Sequence, residues 1–246
     1  MMRPRLMPAG RWSRWLAVGL FLGAVGTVAC WPVETRFGVN YEWSSRQIRL
    51  YEKVTDFISR DLQTRRLVSD IVASAAPEQV QILAIFDWVG AHVRPTPNGF
   101  PVVDDHVLHI IIRGYGAPDQ RTEAFALLAS YAGMLSTATV LQSETGSATV
   151  VVSLVQIDNR VYVFDVINQV VFQDAGGALA DVERLMAEPA LIRDASGDLE
   201  VAGIPYERFF STLPDLRPNF SRMEQQKPWY RATSEILNLF GAGVGR

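Results

Sequence analysis

Cysteine is nearly absent from this chain: one residue, Cys30, in 246. An intrachain disulfide is therefore impossible, no cysteine set can close a structural metal site, and the region after residue 30 has no thiol to act as a nucleophile. Lysine is scarce too, with Lys53 and Lys227 against 21 arginines, a bias we read as a GC-rich genome. Histidine occurs only as His92, His106 and His109. There is no Gly-x-Ser-x-Gly elbow, phosphate loop or dinucleotide fingerprint, and no internal repeat or low-complexity run.

What is present begins with the setting of Cys30. Residues 1-30 carry Arg3, Arg5, Arg11 and Arg14 and no acid, then an apolar run from Trp15 to Ala29. A basic start, a short apolar stretch and small residues before a break have the form of a secretory signal. The tetrad Thr27-Val28-Ala29-Cys30 resembles a bacterial lipobox, although position 27 is usually leucine there. That resemblance implies a diacylglyceryl chain on Cys30, which becomes the mature N-terminus. An uncleaved membrane helix over residues 15-33 is the main alternative, being close to the roughly 20 apolar residues that span a bilayer. Cleavage as an ordinary secreted protein would leave Cys30 an odd free thiol. Both membrane readings keep the arginines inside and export the domain.

About 216 residues follow Cys30, enough for one large domain that buries roughly 70% of its unfolded surface. Hydrophobic content of 48% and charge of 20% are ordinary for a globular protein. Four of the 23 basic residues precede Cys30, leaving 19 against 26 acidic residues, a net charge of −7 on the exported part. That balance argues against a nucleic-acid binder, which would show a basic face.

Residues 31-43 read as a tether broken by Pro32 and Gly38. From Ser44 the spacing of Ile48, Tyr51, Val54, Phe57 and Ile58 is helical. A second helix is expected over about 62-75, and a third from Pro77 to Val93 with Val80, Leu83, Ala84, Phe86, Trp88, Val89 and Val93 as its apolar stripe. A Pro/Gly loop over 95-103 leads to a short helix, Val107 to Ile112, ended by Gly114. The turn 114-118 opens a helix from Pro118 to about Ala132, with Pro118 at its first position, Asp119 in its first turn and Gly133 at its close. Residues 136-141, 148-156 and 160-165 are β-branched and aromatic. Asp158-Asn159 is a hairpin turn, and 170-172 is a fourth strand. Helices followed by an antiparallel sheet make an α+β arrangement. Beyond it a helix is expected near 178-186, irregular chain over 187-228, and an amphipathic helix from Trp229 to Leu239. The resulting division is signal 1-30, tether 31-43, main domain 44-176 and a C-terminal extension 177-246 packed on it.

The stretch from Ile82 to Phe172 resembles the transglutaminase-like superfamily, whose fold is papain-like. Ala84-Ile-Phe-Asp-Trp-Val-Gly-Ala-His-Val93 is similar to the helix before the nucleophile helix. Gly114-Tyr-Gly-Ala-Pro-Asp-Gln-Arg-Thr-Glu-Ala-Phe-Ala-Leu-Leu128, followed by Gly133, is similar to the Gly-x-Cys turn and the helix it starts. Val150 to Asp165 is similar to the strand pair that carries a histidine and then an aspartate. In that family a thiol at a helix N-terminus is activated by the dipole, a histidine moves its proton, and an acid orients the imidazole. Here the cysteine position falls on Pro118 and the histidine position on Val150, or on Thr149 after a one-residue slip. The acid position falls on Asp165. The resemblance therefore implies a fold kept and a chemistry discarded. Asp119 is the one nearby candidate for a substitute nucleophile, and an ordinary first-turn helix residue is by far its commoner role.

His106 and His109 beside Asp104 and Asp105 have a three-residue step, not the four of a helical zinc pair. They read as one helix face, and neither metal nor cofactor is expected. Three functions follow. The first is a membrane-anchored pseudoenzyme that binds or scaffolds in the bacterial cell envelope, facing the periplasm or exterior, with a polypeptide or saccharide chain in the emptied cleft. Its cleft contacts would be Trp88, Tyr115, Asp119 and Asp165. Tyr206, Phe209, Phe210 and Trp229 are further interface-type aromatics, for which core packing is the commoner role. The second is a cysteine-independent amidase, peptidase or acyltransferase with a remodelled site. The third is a structural partner in an envelope polysaccharide or export assembly.

Overall fold

The computed structural model describes residues 9-37, 44-103, 106-215, 218-230 and 233. The chain divides into two compact units, 1-59 and 60-246. In the first, α1 (Ala9–Ala29) leads into Cys30, which is exposed. Among the described residues no helix is long and apolar enough to cross a membrane. β1 (Pro32–Phe37) and β2 (Ser44–Arg49) form an antiparallel pair with Val33 opposite Ile48. This differs from the sequence reading twice. Pro32–Phe37 is a strand where irregular tether was expected, and Ser44–Arg49 is a strand where a helix was expected to begin. Proline is tolerated at the first residue of a two-stranded edge, and the cross-strand partner that makes Ile48 a strand residue lies outside any helical window.

α2 (Leu50–Ile71) is one continuous helix where two were expected. In the second unit, α3 (Glu78–His92) starts after Pro77 and buries Ile82, Ile85, Phe86 and Val89. Val80 lies off that stripe and is 54% exposed. β3 (Arg94–Pro95) is followed by α4 (Val107–Arg113), which Gly114 ends in the left-handed region at φ 76°, a conformation glycine adopts without steric cost. β4 (Tyr115–Gly116) pairs in parallel with β3. α5 (Pro118–Tyr131) is buried from Gln120 to Ser130.

β5 (Leu135–Gln142), β6 (Thr149–Ile157), β7 (Arg160–Asp165) and β8 (Val170–Val171) form an antiparallel sheet in sequence order. Asp158 and Asn159 both have positive φ, 49° and 62°, as the tight hairpin turn requires. Strand alternation splits the sheet between two cores. Val155, Ile157, Tyr162 and Phe164 face α3 and α5, packing with Phe86, Phe125 and Leu128. Val150, Val152, Leu154 and Val163 face the other way, toward α6 (Val182–Ala187), α7 (Ala190–Ser196) and a 3-10 segment, Tyr206–Asp215. The fold is therefore α+β, a sheet covered on both faces. The region expected to be irregular holds α7, the short pair β9 (Glu200–Val201) and β10 (Ile204–Pro205), the 3-10 segment and α8 (Ser221–Glu224). Most of the terminal helix expected from Trp229 to Leu239 lies outside the described residues, as do Asp104 and Asp105.

Candidate functional site

The start of α5 is held by Gln120. Pro118 occupies the first helical position and is exposed. The Ala117 N–H donates to Gln120 Oε1 at 3.1 Å, and Gln120 Nε2 donates to the Val103 carbonyl at 2.8 Å. Thr122 Oγ1 donates back to the Pro118 carbonyl at 2.9 Å. Gly116 is dense-packed: a Cβ there would meet Ile110 Cγ2 at 3.0 Å and Gln120 Cβ at 3.2 Å. Asp119 is half-buried in this first turn.

Asp165 ends β7 and is fully buried. Its Oδ1 accepts from the Ile167 and Asn168 amides, each at 2.9 Å. Its Oδ2 accepts from Asn168 Nδ2 at 2.7 Å and from the Tyr206 hydroxyl at 2.6 Å. An ionised carboxylate has about four lone-pair sites, and here four donors meet them. Burial, and next the Asp165 charge, push the Tyr206 phenol well above its ordinary value. A phenol held neutral is the form that donates.

Val150 is buried with Tyr206 and Phe209 on the face turned away from α5, and Thr149 is exposed. The β6 residue that faces the first turns of α5 is Ser153, whose hydroxyl donates to the Thr122 carbonyl at 3.1 Å. The three positions implied by the resemblance take different settings. Pro118 meets solvent, while the Val150 side chain and the Asp165 carboxylate belong to the core beneath the 3-10 segment. The physical reason is the period of two along a strand: Phe164 points to α5, and its neighbour Asp165 therefore does not.

A residue the sequence reading missed joins these parts. Arg121, 5% exposed, donates through Nε to the Val93 carbonyl at 2.8 Å and through Nη2 to the Val166 carbonyl at 3.2 Å. Burial lowers its pKa, and the nearby Asp165 charge opposes that shift. Its signal in the sequence was a run of five polar residues, Asp119 to Glu123, ahead of the apolar stretch Ala124 to Ala129.

Of the remaining expected contacts, Trp88 stacks on His92 at 4.3 Å with 8° between the rings. Tyr115 has the Arg113 guanidinium over its ring at 4.9 Å and the Phe100 ring edge-on at 5.8 Å. Tyr206, Phe209 and Phe210 are core residues, and Trp229 is 71% exposed. His106 caps α4, its Nδ1 accepting from the Leu108 amide at 3.2 Å, and its ring meets His109 edge-on. Among the described residues no group of three or more His, Cys, Asp or Glu could hold a metal ion; Asp104 and Asp105 lie outside that set. A cavity of about 490 Å³ opens beside the β3–β4 pair, lined by Ala91, His92, Arg94, Pro95, Pro97, Gly114 and Tyr115.

No protein-family model matches the chain, and no curated protein does. Among solved structures it is similar to a candidate protease from Parabacteroides distasonis, with 11% identity and a TM-score of 0.35 over 53% of this chain and 35% of that one. It is also similar to a candidate cysteine protease from Cytophaga hutchinsonii, with 14% identity and a TM-score of 0.36 over 49% and 41%. A third is a TGase, with 12% identity and a TM-score of 0.35 over 68% and 49%. The chain thus spans a third to a half of the length of these structures.

Proposed function

We propose that this protein is a non-catalytic, transglutaminase-like binding or scaffold module of the bacterial cell envelope. It is anchored by lipid on Cys30, with its domain on the periplasmic or outer side. One observation carries the loss of catalysis: the sole surviving acid of the implied triad, Asp165, is fully buried with four donors on its two oxygens. It is spent on holding a turn and the 3-10 segment, not on orienting an imidazole. Pro118 at the head of α5 has neither nucleophile nor side-chain proton. Val150, packed in the core, has no base.

The filled space around Asp165 favours an assembly role over a ligand lodged in the old cleft. In this reading the domain contributes surface to an envelope complex, such as polysaccharide or export machinery. The test is a turnover assay on the full chain in detergent, with amide, ester and amine-transfer substrates. No turnover above buffer is expected. Turnover abolished by Asp119→Ala, with the melting temperature unchanged, would restore the cysteine-independent amidase, peptidase or acyltransferase.

A further inference from the structure

The cavity beside β3 and β4 has features that the loss of catalysis does not explain. Arg94 and Tyr115 are register partners across the parallel pair, so their side chains emerge side by side, and both line the cavity. Among the described residues, neither the Arg94 guanidinium nor the Tyr115 hydroxyl has a hydrogen-bond or ion-pair partner. The third polar group is His92. Its Nδ1 lies 2.8 Å from the Trp88 carbonyl. A carbonyl only accepts, so Nδ1 carries a proton, which leaves Nε2 as the one ring nitrogen able to accept. The stack on Trp88 fixes the plane of the imidazole.

Backbone hydrogen bonds hold the two short strands together. The Arg94 and Thr96 amides donate to the Gly114 and Gly116 carbonyls at 2.9 and 3.1 Å. The alternate residues, Pro95 and Pro97, have no N–H to offer. A peptide strand added to that edge would find no backbone donors there, which removes the usual source of affinity in strand addition. Recognition must come from side chains. Those provide two donors, one of them a permanent cation suited to bidentate carboxylate binding, one acceptor, and flat apolar surface from the prolines and Tyr115. The complementary ligand carries a carboxylate, a hydroxyl that donates, and a ring with a C–H face.

We propose that this cavity binds a carboxylate-bearing sugar, with Arg94 and Tyr115 on the carboxylate and His92 Nε2 accepting from a ring hydroxyl. The proposal deepens the binding-module reading above. That reading fails as turnover; this one fails as absent or unselective binding.

The experiment is calorimetric titration of the full chain in detergent with a glucuronic acid trimer, with cellotriose, inorganic phosphate and a triglutamate peptide as comparators. Saturable binding of the glucuronate trimer is expected, with the three comparators at least about tenfold weaker. Arg94→Gln should cost about tenfold or more, as expected for a charge-assisted pair, and Tyr115→Phe a smaller factor, both with unchanged melting temperature. No saturation with glucuronate, equal binding of any comparator, or an Arg94→Gln variant that binds like the parent would overturn it.

Discussion

The Tyr206 hydroxyl donates to the Asp165 carboxylate at 2.6 Å, tying the 3-10 segment to the end of β7 inside the core. Such a bond is strong because its acceptor is charged and its alternative, an unpaired buried carboxylate oxygen, is costly. Tyr206→Phe should lose about 1.5–3 kcal/mol of stability. Asp165→Ala should lose more, since it strands the phenol and the Asn168 amide group at once. Urea denaturation followed by circular dichroism measures both. A loss below about 1 kcal/mol for Asp165→Ala would mean that the carboxylate is not the anchor described here.

Alkaline pH should unfold the protein through buried phenols. Tyr206 and Tyr131 both have pKa values raised from the ordinary 10.0, in each case by burial first and then by a neighbouring aspartate. For Tyr131 that neighbour is Asp61, whose carboxylate accepts its hydroxyl at 2.9 Å. A raised folded-state pKa gives stability that is complete below the unfolded value and is lost as pH rises beyond it. Above pH 10 the unfolded chain binds fewer protons than the fold, so stability falls with pH. Absorbance titration should show Tyr206 and Tyr131 ionising only with unfolding. Tyr206→Phe should flatten the alkaline slope; an unchanged slope would contradict the assignment.

Gly116 is required by close packing, not by its backbone angles. A Cβ would press on Ile110 and on the Cβ of Gln120, neither of which is a free side-chain end. Gly116→Ala should destabilise by about 1–3 kcal/mol, the usual cost of overpacking. Gly90→Ala is the control. Its new methyl would meet the far end of the exposed Gln169 side chain, which can turn aside. A thermal melt that ranks Gly90→Ala as the worse variant would refute this.

Met223 locks the C-terminal segment onto α5. It is fully buried with Val107, Ala124 and Leu127. Beside it Arg222 pairs with the buried Glu123, and Lys227 donates to the Ser130 carbonyl at 2.9 Å. Met223→Ala should cost about 2–4 kcal/mol, read from the shift of the urea midpoint. A shift of less than a quarter of that would show that the segment is not docked.

Lipidation is tested directly. Labelled palmitate should enter the parent protein in a bacterial host and should not enter Cys30→Ser. Equal labelling would exclude Cys30, the only cysteine, as the anchor point.

The sequence alone determined much of the element order. Helices α3, α4 and α5, the three long strands and the Asp158-Asn159 turn are all readable because their signals are local: periodicity, a proline at a helix start, a glycine at a helix end. The β1–β2 pair escaped because Ile48 owes its strand conformation to Val33, a partner fifteen positions away. The site was legible only as a set of positions. Pro118, Val150 (or Thr149) and Asp165 could be picked out in the chain as positions to look at. That Asp165 turns away from α5 toward Tyr206, that Arg121 bridges Val93 and Val166, and that Arg94 and Tyr115 stand unspent at one cavity were decided by strand register and tertiary packing. Which face a strand residue takes flips with a single step of register, and the pairing that sets the register brings together residues far apart in sequence.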